Sequence, residues 1–150
     1  MTLRHGDYDI EEGLHRVDFA RVHRWLDGTY WAAGRSRERV EKAARHSSLV
    51  VSAYHREGPQ VGFMRVVSDR VTFAWVADVY VDEAHRGKGL ARAMVRFALE
   101  HPEHREIRRW VLRTRDAHGV YAALGFGPYP EPESFMQLMP KRPDGSPLPP

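Results

Sequence analysis

The residues best suited to chemistry lie in one short run, Arg86-Gly87-Lys88-Gly89. Glycine at alternate positions removes side-chain bulk where successive backbone N–H groups must converge on a ligand. Arg86 and Lys88 add full positive charges to the same turn. If a helix begins directly after it, the unpaired N–H groups of the first turn and the positive dipole end point to the same spot. Such a turn is a nest for an anion, and its charge suits a phosphate or pyrophosphate. A bare Gly-x-Gly also marks an ordinary connection that needs positive φ, so the flanking elements decide between the two readings.

The flanks favour the nest. Val76 to Val81 is β-branched and aromatic, short enough for a strand, and Asp82 to His85 is a polar break after it. From Leu90 onward Leu90, Met94, Phe97 and Ala98 recur at helical spacing, with Lys88, Arg92, Arg96 and Glu100 mostly on other faces. The spacing therefore predicts strand, glycine loop and helix in immediate succession.

In this setting Arg86, Gly89 and Ala91 fall on a pattern that resembles the GNAT superfamily of acyl-CoA N-acyltransferases, whose signature is Gln/Arg-x-x-Gly-x-Gly/Ala between the fourth strand and third helix. A second stretch, Ala117-His118-Gly119-Val120-Tyr121-Ala122-Ala123-Leu124-Gly125-Phe126, is similar to the family's Ala-x-x-x-Tyr-x-x-x-Gly-Phe segment. The resemblance extends from about Val50 to Met139. The earlier part matches only in holding two helices, which form the acceptor side in the family.

The resemblance implies that Arg86, Gly87, Lys88, Gly89, Leu90 and Ala91 wrap the pyrophosphate of acetyl-CoA, chiefly through main-chain N–H groups. It implies that the family's fourth and fifth strands splay near a bulge and that the pantetheine arm bonds to the backbone of Val79, Tyr80 and Val81. The Val79 N–H then faces the thioester oxygen, where negative charge develops. Tyr121 is placed to protonate the departing thiolate, the alternative being a packed ring with a structural partner for its hydroxyl. Thr114 stands where many relatives have an asparagine that bonds the pantetheine or the tyrosine helix.

The acceptor amine must lose a proton before it attacks. Asp78 is the only acid between Val71 and Val81, and strand alternation sets it with Tyr80 on the face opposite Val79 and Val81. It can anchor or deprotonate an amine, or make a structural ion pair. Trp75 stands where some family members carry a glutamate. Tyr30 and Trp31, in a glycine-flanked connection, are candidate aromatic walls of the acceptor pocket. His101-x-x-His104 has no clear third ligand, so no catalytic metal is expected.

The elements that must position these residues follow from pattern. Tyr8 to Leu14 reads as an edge strand. Asp18 and Ser36 are N-caps for helices reaching Leu26 and Arg45. Ser48 to His55, Val61 to Ser68 and Val71 to Val81 read as an antiparallel meander. Ile107 to Thr114 is a strand parallel to the last of these. Ala117 to Leu124 is a short helix capped by Asp116, and Ser134 to Met139 is a final strand. The expected fold is α/β of the α+β type, a mixed, mainly antiparallel sheet flanked by helices on both faces. Residues 1–139 form a single domain and 140–150 a proline-rich flexible tail.

Composition sets the outer bounds. A chain of 150 residues with 42% hydrophobic content supports one core. The formal charge of +3 is dispersed and does not call for nucleic acid. The absence of cysteine removes disulfides and a thiolate nucleophile, which favours direct transfer in a ternary complex. Neither a signal peptide nor a membrane span is visible, and a cytoplasmic location is expected. These readings converge on an N-acetyltransferase acting on a primary amine of a small molecule or peptide, with a homodimer as a family-level expectation. The competing reading is a catalytically inactive acyl-CoA-binding sensor or interaction module.

Overall fold

The computed structural model describes residues 1–150. Six strands form one sheet in sequence order: β1 (Thr2–His5), β2 (Tyr8–Glu12), β3 (Leu49–His55), β4 (Gln60–Ser68), β5 (Ala74–Val81) and β6 (Trp110–Val111). Every neighbouring pair is antiparallel except β5 with β6, whose parallel pairing is made possible by the crossover helix α3 (Leu90–Glu100). The sheet is thus mixed and mainly antiparallel. No helix is long and apolar enough to cross a membrane.

The Tyr8 strand is interior, not an edge as its acidic residues suggested. Tyr8 and Ile10 are buried while Asp9, Glu11 and Glu12 are not, and Thr2–His5, which the sequence reading missed, takes the edge through a two-residue Gly6-Asp7 hairpin. Strand β5 starts three residues later than expected. The Asp69 carboxylate accepts N–H bonds from Val71 and Thr72 at 2.9 and 2.8 Å, which folds that stretch into a turn.

Helix α1 (Phe19–Asp27) begins where Asp18 accepts the Arg21 N–H at 3.0 Å, and α2 (Arg37–Arg45) where Ser36 accepts the Arg39 N–H at 3.3 Å. Both bury one stripe, Val22 and Leu26 with Val40 and Ala44, against Val50 and Phe63 on one sheet face. The alternate residues Val51, Met64 and Val76 meet Leu90, Met94 and Phe97 of α3 on the other. Helix α3 lies so close to β4 that a Cβ on Gly62 would sit 3.0 Å from the Met94 methyl and 3.1 Å from the Ala53 Cβ.

Beyond α3 the chain departs from its expected course. Only Trp110 and Val111 of the anticipated Ile107–Thr114 strand pair with β5. Helix α4 (His118–Ala122) follows with Ala117 at its N-cap and no side-chain cap, so Asp116 does not cap it; the Thr114 hydroxyl accepts the Ala117 N–H at 3.0 Å just before the helix. Ser134–Met139 forms no strand. With β6 so short there is no ladder for it to join, and Pro128, Pro130 and Pro132 lead into a 3-10 turn at Pro132–Ser134, leaving Met136 and Leu138 exposed. The tail turns back on itself at Lys141 and Pro147, and Arg39 donates to the carbonyls of Pro149 and Pro150 at 3.0 and 2.9 Å.

The contact at Gly62 sets a stability test. Gly62→Val forces an isopropyl group into the α3–β4 seam and lowers unfolding free energy by about 2 kcal/mol, read as a lower urea midpoint with unchanged slope.

Candidate active site

Strands β5 and β6 pair at Ala74 with Trp110 and at Trp75 with Val111, and then part. Between them opens a cleft of about 1470 Å³ that reaches from the α1–α2 connection to the start of α3. On the other side of β5 the register advances from Phe63–Tyr80 to Arg65–Ala77, one residue more on β5 than on β4. That extra residue makes a bulge at Asp78 and Val79, where Asp78 adopts φ of +54°. Tyr30, Trp31, Asp78, Val79, Tyr80, Val81, Arg86, Gly87, Gly89, Leu90, Ala91, Thr114 and Tyr121 all line the one cleft.

The glycine loop has the geometry of a nest. Gly87 and Gly89 hold φ of +76° and +74°, and Gly89 starts α3 with no side-chain cap, so the first-turn N–H groups have no competing acceptor. Adding a Cβ at Gly87 would meet nothing within 4 Å, so this glycine is required for its φ and for what must approach it, not for space inside the fold. Lys88 departs from expectation. Its side chain does not line the cleft; Nζ donates to the Tyr8 hydroxyl at 3.1 Å, and its carbonyl meets Nε2 of His5 at 2.8 Å. The loop is therefore braced from behind by β1 and β2. Arg86 remains at the cleft, with Nε donating to the Val81 carbonyl at 2.9 Å and its guanidinium 5.3 Å over the Tyr80 ring.

At the other end stands Asp78, on the same face as Tyr80, which stacks on Trp25 at 5.3 Å. Its Oδ1 accepts from Trp31 Nε1 at 3.1 Å, and its Oδ2 accepts from Arg35 at 2.9 Å and Arg65 at 2.6 Å. Three donors on one nearly buried carboxylate fix the bulge to β4 and to the α1–α2 connection, and they hold a non-glycine residue in a left-handed conformation that costs about 1 kcal/mol by itself. Tyr30 ties the opposite lip. Its hydroxyl accepts the Arg115 N–H at 2.9 Å, and the Arg115 guanidinium lies 4.0 Å over its ring.

Tyr121, on α4, packs edge-on against Phe126 at 6.0 Å and borders the main core. Burial, reinforced by the neighbouring Tyr30 and Asp116, pushes its phenol up to about 12. No hydrogen-bond partner within the protein holds its hydroxyl, and the residue lines the cleft. No group of three or more histidine and acidic side chains is gathered to hold a metal.

Arg35, Arg65, Arg115 and His5 are the site residues that sequence reasoning did not single out. Arg65 left a signal, a cation inside the apolar run Val61–Val67. The other three left none, since their roles depend on which loops the fold brings together.

The family model described as the acetyltransferase (GNAT) family matches residues 11–126. A protein of Gibberella zeae named provisionally as an acetyltransferase is 30% identical, with 84% of this chain and 82% of that protein aligned. A crystal structure from Xanthomonas campestris pv. campestris, described with the same reserve as a GNAT-family acetyltransferase, is 37% identical and superposes with a TM-score of 0.79 over 86% of this chain and 92% of that one. A Deinococcus radiodurans structure at 23% identity shares the fold, with a TM-score of 0.68 over 92% of each chain. With signature loop, splayed strands and most of the chain's length in agreement, this chain belongs to the GNAT family of acetyltransferases.

Proposed function

We propose that the chain moves an acetyl group from acetyl-CoA directly to a primary amine, with both substrates bound at once. The observation that carries this reading is the single cleft between β5 and β6 that runs from a glycine anion nest to a bulge on an edge with no β6 partner. At about 1470 Å³ it exceeds the roughly 300–1,000 Å³ that holds one drug-sized ligand, which leaves room for a second substrate. The chain has no cysteine to carry the acyl group in between.

The residues present fit the coenzyme. Gly87 and Gly89 and the open N-terminus of α3 suit its pyrophosphate, and Arg86 and Arg92 add charge at the same end. Backbone groups of Val79, Tyr80 and Val81 on the unpaired β5 edge suit the amides of its extended arm. When bound, the coenzyme supplies the acyl group as an activated thioester. The Val79 N–H is then the donor for negative charge developing on the thioester oxygen.

Tyr121 is the donor to the departing sulfur. Its phenol, near 12, is a much weaker acid than an ordinary thiol at about 8.5, so it acts by donating a hydrogen bond and not by surrendering its proton outright. The proton the amine loses balances the one the thiol gains. In this reading Asp78, whose two oxygens already accept from three donors, anchors the acceptor side, and water in the open cleft takes the amine proton. Tyr30 and Trp31, 48% and 39% exposed, form the aromatic wall at that end.

Three outcomes are expected. In calorimetric titration the wild type binds acetyl-CoA and free CoA saturably, and Gly89→Gln, which places a side chain on a left-handed residue of the nest, loses binding while its melting transition persists; saturable binding by the variant would count against the nest. Tyr121→Phe lowers kcat about 10²-fold with little change in coenzyme affinity. Because burial raises the phenol from 10.0 to about 12, the stability contributed by its neutral form is intact below 10 and lost as pH rises through about 12, so the same variant should flatten the alkaline loss of stability. An unchanged kcat would remove Tyr121 from the chemistry.

A further inference from the structure

Charge at the acceptor end is unbalanced in a way that the anchoring of Asp78 does not require. One carboxylate is shared by two guanidiniums whose side chains are only 14% and 15% exposed, so a full positive charge remains on the cleft wall with little water to solvate it. Each guanidinium carries five N–H donors. Asp78 takes one from Arg35 and one from Arg65, and Ser47 takes another from Arg65 at 3.5 Å. Nε and Nη2 of Arg35 and Nη2 of Arg65 make no hydrogen bond within the protein, and both residues line the cleft. Arg115, whose guanidinium lies over Tyr30, adds a further cation, and Arg113 and Asp116 also line the cleft.

This field repels a protonated alkylamine and favours the neutral form that attacks, and it attracts an anion. Resting on the transferase reading above, we propose that the acceptor is a short molecule carrying both the reacting amine and an anionic group, a carboxylate or a phosphonate or phosphate, which seats on the free donors of Arg35 and Arg65. Asp78 directly precedes Val79, so the anion seat adjoins the backbone assigned to the thioester oxygen. Amine and anion are therefore separated by few bonds, as in an amino acid. Fork-shaped guanidinium donors supply bidentate geometry for such a group.

The test uses matched probes: alanine against ethylamine, phenylalanine against phenethylamine, and aminomethylphosphonate against methylamine. Each is titrated calorimetrically into the protein alone and into the CoA-loaded protein, and each is offered with acetyl-CoA in a thiol-release assay. The anionic member of at least one pair should bind about ten-fold or more tightly than its partner. The carboxylate and phosphonate arms distinguish the two anion types. Arg35→Gln should abolish that preference, and Arg35→Lys should retain part of it.

Asp78→Asn should strengthen anion binding, because it frees donors and removes the competing negative charge. A merely structural network would show the opposite sign. If Asp78→Asn does not fold, the two Arg35 variants decide. Equal binding within all pairs, tighter binding of the uncharged partners, or no binding by any anionic member across the millimolar range overturns the inference. Acetylation of amines lacking an anion in preference to their partners also overturns it while leaving the transferase reading intact. Failure of that reading shows separately, as loss of acetyl-CoA binding with anion binding by the coenzyme-free protein retained.

Discussion

Strands β5 and β6 are held together by two residue pairs and no more, and nearly everything of functional interest follows from how they then separate. A parallel pair in a sheet would normally continue until both strands end. Here the extra residue at Asp78 increases the local twist of β5 just where pairing with β6 stops. The consequence is an edge of backbone groups in the middle of a sheet, covered by neither strand nor helix, with a helix N-terminus and a glycine turn at one end. A sheet edge in this position is ordinarily a liability. In this molecule it is enclosed at the sides by α4 and by the α1–α2 connection, so it is reachable by an extended small molecule more readily than by another strand.

The two ends of the cleft are stabilised by different means. At the anion nest the support is a set of hydrogen bonds from the N-terminal strands: His5 holds the Lys88 carbonyl, Tyr8 accepts from the Lys88 ammonium, and Tyr8 itself bonds His85 at 2.9 Å. This leaves the nest's backbone N–H groups free. At the bulge the support is ionic, with Trp31, Arg35 and Arg65 converging on Asp78. Removing either arginine leaves Asp78 with one cationic partner, whereas removing Asp78 leaves two neighbouring guanidiniums in mutual repulsion. The network therefore couples the shape of β5 to the conformation of the α1–α2 connection, and through Tyr30 and Arg115 to the far lip of the cleft.

The meander, both N-caps, the crossover helix and the glycine loop were legible in the sequence because each is written in local chemistry: alternation, a capping Asp or Ser, helical spacing, and glycines with positive φ. What was not legible depends on partners distant in the chain. Lys88 reads as a ligand-facing cation by its neighbours, and only the packing of β1 and β2 behind the loop turns it inward. Ser134–Met139 has strand-like residues, yet a strand requires a ladder, and β6 is too short to provide one. Arg35 carries no mark of its role, because that role arises only when its loop meets the bulge on β5.

In the proposed reaction coenzyme A lies along the β5–β6 cleft, from glycine loop to bulge. Backbone amide NMR of the protein during titration with free CoA measures this residue by residue. The largest shifts are expected at Gly87 to Ala91 and at Val79 to Val81, with the Met64 and Val66 amides of β4 little changed. Shifts confined to the surface outside the cleft, or at the glycine loop without any response from Val79 to Val81, would contradict it.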